Sequence, residues 1–137
     1  MEIRVYVKLP VYAVDIRNEV FVKEQGFREE FDGFDKNALH LVGFIDDRNA
    51  ATCRILSKDE KSYLIGRIAV RKKYRGNGFG SEIIRAAEKI IAAAGGKSVY
   101  IHAQKQAIGF YEKLGYFPVG EPDEEEGCPH QMLFKEI

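Results

Sequence analysis

The chain has 137 residues, enough for one domain over residues 1–137 and too few for two ordinary ones. A domain of this length buries roughly two-thirds of the surface its unfolded chain would expose, so it needs no disulfide or metal to hold it together. Twenty-one lysines and arginines balance twenty-one aspartates and glutamates; this excludes general affinity for nucleic acid or an anionic membrane and makes any charged site local.

No apolar signal segment opens the sequence, and no run approaches the roughly 20 apolar residues of a membrane helix, so a cytoplasmic protein is expected. Cys53 and Cys128 form neither a metal spacing nor a disulfide framework, and no metal is expected. In chain order, Ile3, Val5 and Val7 alternate with Arg4, Tyr6 and Lys8 as in a strand. After Pro10, the positions of Val14, Arg17, Val20, Phe21 and Glu24 fit a helix with one apolar face, ending near Gly26. The stretch through Asp32-Gly33-Phe34-Asp35 is aromatic, acidic and turn-rich, as a loop over a pocket is. Residues 40–45, 51–56 and 63–70 read as three strands of an antiparallel meander. Ile83, Ile84, Ala87, Ile90, Ile91 and Ala94 then recur at helical spacing until Gly95-Gly96. A strand over 98–102, a helix over 107–114 closed by Gly115, and strands over 116–119 and 130–134 complete the chain. This order predicts an α+β (mixed α/β) fold, with helices flanking a central mixed, mostly antiparallel sheet of six to seven strands.

The segment Val70-Arg71-Lys72-Lys73-Tyr74-Arg75-Gly76-Asn77-Gly78-Phe79-Gly80-Ser81 joins a strand to the long helix through a basic, glycine-rich turn. Backbone N–H groups at the positive end of a helix make an anion site, here one suited to a pyrophosphate. A nucleotide-hydrolase phosphate loop needs a lysine directly before its serine or threonine, but Gly80 precedes Ser81. A dinucleotide fingerprint needs G-x-G-x-x-G, whereas Gly76, Gly78 and Gly80 are spaced G-x-G-x-G. The bland alternative is a solvated basic turn that caps a helix.

Arg75-Gly76-Asn77-Gly78-Phe79-Gly80 matches (Gln/Arg)-x-x-Gly-x-(Gly/Ala). With the strand before it and the helix after it, it resembles the acetyl-CoA-binding motif of the GNAT N-acetyltransferase superfamily. The resemblance implies that amides of Arg75, Gly76, Asn77, Gly78, Phe79, Gly80 and Ser81 wrap the pyrophosphate of coenzyme A. It also implies that strand backbone, including Ile68 and Val70, pairs with the pantetheine arm. A second motif runs from Gln104 through Ala107, Phe110, Tyr111 and Gly115 to Tyr116. It is similar to the superfamily's Asn-x-x-Ala-x-x-Phe-Tyr-x-x-x-Gly-Phe, with Gln104 for the asparagine and Tyr116 for the last phenylalanine. It implies that Gln104, Phe110 and Tyr111 lie at the cofactor.

Acyl transfer to an amine requires removal of a proton from the nucleophile and stabilisation of a departing thiolate. The resemblance implies Tyr111 beside the thioester sulfur. A tyrosine of pKa about 10 facing a thiol of about 8.5 would lose roughly 2 kcal/mol by donating its proton outright, so a strong hydrogen bond to the thiolate is expected. The alternative is a core tyrosine. Many superfamily members carry a glutamate on the strand before the glycine turn, but Ile65-Gly66-Arg67-Ile68-Ala69 has no carboxylate. Gly127-Cys128-Pro129-His130 resembles the tail of a YjcF/ElaA-like branch and of related enzymes that acetylate small acidic amines. That resemblance implies His130 as the group that takes the amine proton, against a role in merely orienting the loop. Arg17 to Gln25 and His102-Ala103-Gln104 are similar to the same branch, so the likeness covers nearly the whole chain.

In the enzymes acting on acidic amines, arginines at the positions of Arg17 and Arg67 hold a carboxylate or phosphonate, and Gln104 stands where a further arginine is expected. The opposing clue is acidic: Glu29, Glu30, Asp32 and Asp35, with residues 123–126 beside His130, suit a polyamine or a lysine-bearing peptide. Cys128, two residues from His130, is a candidate acetyl-accepting nucleophile. His102 and Arg54 carry no expected role beyond structure. The resemblance implies an acetyl-CoA-dependent N-acetyltransferase that transfers an acetyl group to the primary amine of a small metabolite by direct attack in a ternary complex. The alternative is a non-catalytic acyl-CoA-binding sensor or interaction module of the same fold. Sheet-edge homodimers are common in the superfamily, and the sequence compels none.

Overall fold

The computed structural model describes residues 1–28 and 30–137. The alternating N-terminal segment forms β1 (Glu2–Tyr6), antiparallel to β2 (Leu39–Ile45). Between them, α1 (Val11–Arg17) starts after Pro10, whose extended backbone suits the residue before a helix. It continues into a π-helical stretch, Asn18–Glu24, marked by the Gln25 amide bonding back to the Val20 carbonyl at 3.1 Å. The expected single helix is therefore present, but its second half is widened, and Arg17, Val20 and Phe21 are all buried.

The expected meander is formed by β2, β3 (Arg48–Ser57) and β4 (Ser62–Val70). Leu41 and Val42 sit on opposite faces of β2, and the core splits accordingly. On one face Leu41, Cys53 and Ile65 meet Ile83, Ile84, Ala87 and Ile91 of α2 (Phe79–Ala93). On the other, Val42, Phe44 and Ala69 meet Ala13, Ile16, Val20 and Phe21. Helices thus cover both sides of the sheet, burying apolar surface worth about 25 cal/mol per Å².

Two irregularities interrupt the sheet at its centre. In β4, Thr52 opposes Ala69 while Arg54 opposes Gly66, so β4 carries an extra residue, and Arg67 within that bulge has φ +50°. Beyond it, β4 runs parallel to β5 (Ser98–Gln104) only where Ser62–Leu64 oppose Ser98–Tyr100. From Ile65 and Ile101 onward the two strands are unpaired, which opens a cleft in the middle of the sheet.

After β5 come α3 (Ile108–Glu112), β6 (Phe117–Pro118), β7 (Asp123–Glu125) and β8 (Cys128–Glu136). The sheet has eight strands in the order β1-β2-β3-β4-β5-β8-β6, with β7 paired to β8. The expectation was six to seven. The extra strand, β7, is three exposed acidic residues with no apolar alternation, so nothing in its pattern announces it. It forms because Glu126 and Gly127, both at positive φ, make a two-residue turn that returns the chain onto β8. No helix among the described residues is long and apolar enough to cross a membrane.

Candidate active site

The cleft between β4 and β5 has a volume of about 190 Å³ and is lined by Arg67 and Ile68 of β4, Ile101 and Gln104 of β5, Tyr111 and His130. These residues lie far apart in the sequence. They meet because β4 and β5 diverge, and α3, the β7–β8 hairpin and the first helical segment with the loop after it supply the other walls.

The glycine turn stands at the outer end of β4. Arg75 donates to the Val70 carbonyl at 2.9 Å and pairs with both oxygens of Glu24 at 2.7 and 2.8 Å, tying the turn to the strand and to the first helical segment. Its own amide is bonded to the Lys72 carbonyl, so Arg75 braces the turn instead of offering an N–H. Gly76 and Gly78 have φ +81° and +79°, where a side chain is disfavoured. The Asn77 side-chain amide donates to the Tyr74 and Arg75 carbonyls. Among the described residues no acceptor meets the amides of Gly76 to Ser81; the first bond into α2 is made by Glu82, to the Gly78 carbonyl. These amides, at the positive end of a 15-residue helix, offer an anion a cradle. Gly80 also serves packing: a Cβ there would lie 3.2 Å from the ring of Phe110 and 3.7 Å from Val70.

Tyr111 is 8% exposed. Its ring packs against Phe110 and Tyr116 with centroids 5.1 and 6.4 Å away, both edge to face. It lines the cleft, and its hydroxyl makes no hydrogen bond among the described residues. Burial above all, with a smaller contribution from nearby Cys53, pushes its pKa well above the ordinary tyrosine value. The phenol therefore stays protonated and offers a hydrogen bond, not a proton. The Cys53 thiol is itself pushed up to about 12 by burial and is an inert core group.

His130 is 5% exposed, on β8 opposite Gln104. Its Nδ1 lies 2.8 Å from the Cys128 carbonyl, which can only accept, so Nδ1 carries a hydrogen and Nε2 holds the lone pair of the neutral ring. Nε2 faces Glu125 Oε2 at 3.4 Å. The ring stacks on His102, centroids 4.7 Å apart and 29° between planes, and His102 Nε2 is 2.8 Å from Asp123 Oδ1. Cys128 thus meets the imidazole through its carbonyl; its Sγ lies toward the Pro129 carbonyl at 3.9 Å. The covalent relay through Cys128 has no support in this geometry.

The two arginines expected to hold an acceptor separate. Arg17 is 1% exposed, donates to Glu30, and makes a two-pronged contact with Asp35 at 3.0 Å to each oxygen. It does not line the cleft. Phe31 covers its guanidinium at 4.7 Å. Arg67 does line the cleft but is already paired with Glu30 at 2.7 Å and Asp32 at 3.2 Å. Arg54 completes the group by binding Asp32 at 2.7 Å and Asp35 at 3.0 Å. Three guanidinium groups thus face three carboxylates, and the cluster is neutral overall. Of the early acidic residues, Glu30, Asp32 and Asp35 are consumed by these pairs, and Glu29 lies outside the described residues. The hydrogen bond from Arg54 chiefly holds Asp32 below the usual carboxylate range; for Asp35, burial works against ionisation but Arg17 and Arg54 together outweigh it.

Sequence reasoning gave Arg54 a structural place, which its pairs with Asp32 and Asp35 match, and set residues 123–126 beside His130, but it named neither the contact of Glu125 nor that of His102 with the His130 ring. Arg54 had a readable signal: an arginine inside the apolar run of a buried strand requires an acidic partner. Neither contact with the His130 ring had a readable signal: Glu125 reaches His130 through the two-residue turn at Glu126-Gly127, and His102 through the register of β5 on β8, where Gln104 opposes His130 and His102 opposes Met132. Gln104 sits at the end of β5, donating to Gln25 at 2.7 Å and accepting from Gln106 at 2.6 Å.

Residues 12–137 match the family described as Acetyltransferase (GNAT) domain. The uncharacterized N-acetyltransferase YjcF of Bacillus subtilis is 36% identical over 124 residues, covering 88% of each chain. Protein ElaA of Escherichia coli is 33% identical over 134 residues, 93% of this chain and 88% of ElaA. The crystal structure of E. coli ElaA superposes with a TM-score of 0.87, covering 98% of this chain and 99% of that one. An acyl-CoA N-acyltransferase from Pseudomonas aeruginosa superposes at 0.83, with 25% identity and 98% of each chain covered. With the divided sheet and the glycine turn at the end of β4, these matches identify the chain as an acyltransferase that belongs to the GNAT acetyltransferase family.

Proposed function

We propose that the protein transfers the acetyl group of acetyl-CoA to the primary amine of a small molecule, by direct attack while donor and acceptor are bound together. The observation that carries this reading is that Tyr111 and His130 open onto one cleft, at the point where β4 leaves β5 and points toward the amide cradle. The acyl donor supplies an activated thioester. The amides of Gly76 to Ser81 hold its diphosphate, and the free backbone edge of β4 from Ile68 to Val70 pairs with its arm. Phe110 and Gln104 flank that path.

An alkyl ammonium of pKa about 10 must lose a proton before it can attack. In this mechanism His130 takes that proton at Nε2, and the carboxylate of Glu125 at 3.4 Å stabilises the resulting imidazolium. As the amine nitrogen bonds to the acyl carbon and the carbon–sulfur bond breaks, the Tyr111 hydroxyl donates a hydrogen bond to the departing thiolate. Cleft residues suit a neutral or cationic acceptor better than an acidic one. Arg67 forms part of the acceptor wall with its charge already compensated, and Arg17 acts from behind by holding Glu30.

The test is release of free coenzyme A thiol from acetyl-CoA with a panel of amino acids, monoamines, polyamines and a lysine peptide. Amine-dependent release supports the reading. Binding of acetyl-CoA with no release by any amine would instead favour a non-catalytic acyl-CoA sensor, the reading that the carboxylate-free stretch of β4 suggests.

A further inference from the structure

Two imidazoles and a carboxylate converge at the inner side of the β7–β8 hairpin in a way that a lone proton acceptor does not require. His102 Nε2 is tied to Asp123 Oδ1 at 2.8 Å, and His130 Nδ1 to the Cys128 carbonyl at 2.8 Å. Both partners only accept, so in the neutral rings these nitrogens carry the hydrogens. The lone pairs then lie on His102 Nδ1 and His130 Nε2, which face the same atom, Glu125 Oε2, at 4.0 and 3.4 Å. One ligand atom from each of the three side chains falls within 4.8 Å of the others. Three electron pairs gathered in this way repel one another unless a proton or a metal ion lies among them.

The outer contacts point to the kind of cation. Histidines that bind a metal almost always give their other N–H to a carboxylate or a backbone carbonyl, which fixes tautomer and ring direction. Both histidines here do so. From these contacts we propose that His102, Glu125 and His130 form a Zn²⁺ site that shuts the acetyl transfer off. Zinc bonds of 2.0–2.2 Å set neighbouring tetrahedral ligand atoms about 3.3 Å apart. The His130–Glu125 pair already stands at 3.4 Å. The remaining closure falls to His102, whose side chain is 27% exposed and whose ring turns out of its stack on His130 to bind, and to Glu125, at 46%. The fourth position faces the cleft and takes water. Imidazole ligands favour zinc over magnesium or calcium.

The inhibitory consequence rests on the proposed role of His130, whereas the binding does not. A nitrogen bonded to zinc has no electron pair for an amine proton, so metal and reaction compete for one atom. Co²⁺, which absorbs visible light when bound by nitrogen and oxygen ligands at low coordination number, reports occupancy without any turnover. The experiment titrates the full chain with Co²⁺, displaces it with Zn²⁺ against a chromogenic chelator, and follows thiol release with and without Zn²⁺ and after EDTA. The wild type is expected to bind one ion per chain and to lose transfer reversibly. Asp123→Asn, at an exposed position where folding is not at issue, should weaken binding 10–100-fold. His102→Ala, checked for unchanged circular dichroism, should abolish the Co²⁺ band. No band in the wild type, or a band that survives both substitutions, overturns the site. Binding that needs His102 and leaves transfer unchanged overturns the inhibition, and with it His130 as base.

Discussion

Replacing Arg17 with methionine separates a structural arginine from a substrate-binding one. The substitution keeps most of the side-chain volume and removes the charge, leaving Glu30 and Asp35, with side chains 3% and 9% exposed, facing only Arg67 and Arg54. The cluster changes from neutral to one uncompensated negative charge in a buried setting. Removing one partner of a buried pair costs about 3–5 kcal/mol. For a domain of this length each kcal/mol lowers Tm by roughly 3–5 °C, so the expected fall is on the order of 10–20 °C. Thermal and urea unfolding measure it, and adding Glu30→Gln, which restores neutrality, should recover part of the loss. The KM for the acceptor should change little in the variant measured below its melting range. A Tm within a few degrees of wild type combined with a raised acceptor KM would refute the reasoning and return Arg17 to the substrate site.

Tyr111→Phe removes a hydrogen bond made to a developing charge, about 1.5–3 kcal/mol. It should lower kcat by roughly 10–100-fold with little change in coenzyme A affinity, and equal kcat values would remove Tyr111 from the chemistry. Gly78→Ala forces a Cβ onto φ +79°, at a cost of about 1–2 kcal/mol. The expected result is weaker coenzyme A binding by calorimetry with an unchanged fold, and full affinity would contradict the cradle. Acid should destabilise the protein progressively. His40 is kept neutral chiefly by burial, so its contribution is lost as pH falls below the ordinary histidine value of about 6.5. Asp32 and Asp35 titrate below their unfolded value, so their contribution is present above about pH 4 and is lost below it. Glu30, raised by burial against the pull of Arg17 and Arg67, works in the opposite sense and makes the decline shallower. A Tm that stays flat from pH 7 to 3 would contradict this.

Most of the fold was legible because its elements follow local rules: alternation in β1, helical spacing in α2, and glycines that end α2 and α3. The π-helical widening was not legible, because the apolar spacing from Val14 to Glu24 fits an ordinary helix equally well. The glycine turn could be placed between strand and helix from its motif, and the structure sets Tyr111 and His130, singled out in the sequence, on one cleft. What sequence reasoning could not assign was the pairing of charges. Arg17 looks the same on a helical wheel whether it faces a substrate or a buried carboxylate, and only the fold of the segment at residues 30–35 decides between them. Glu125 meets His130 through a turn whose acidic strand carries no hydrophobic pattern, and His102 does so through the β5–β8 register, which no local pattern specifies.

The central claim is that the main-chain amides of Gly76 to Ser81 hold the diphosphate of coenzyme A with its thiol end toward Tyr111. Amide chemical shifts of ¹⁵N-labelled protein, followed through a titration with coenzyme A, test it most directly. The account predicts the largest, saturable shifts at Gly76, Gly78 and Gly80, with smaller ones along Ile68 to Val70 and at Tyr111. Saturable shifts confined to another face of the molecule, or none at all, would contradict it.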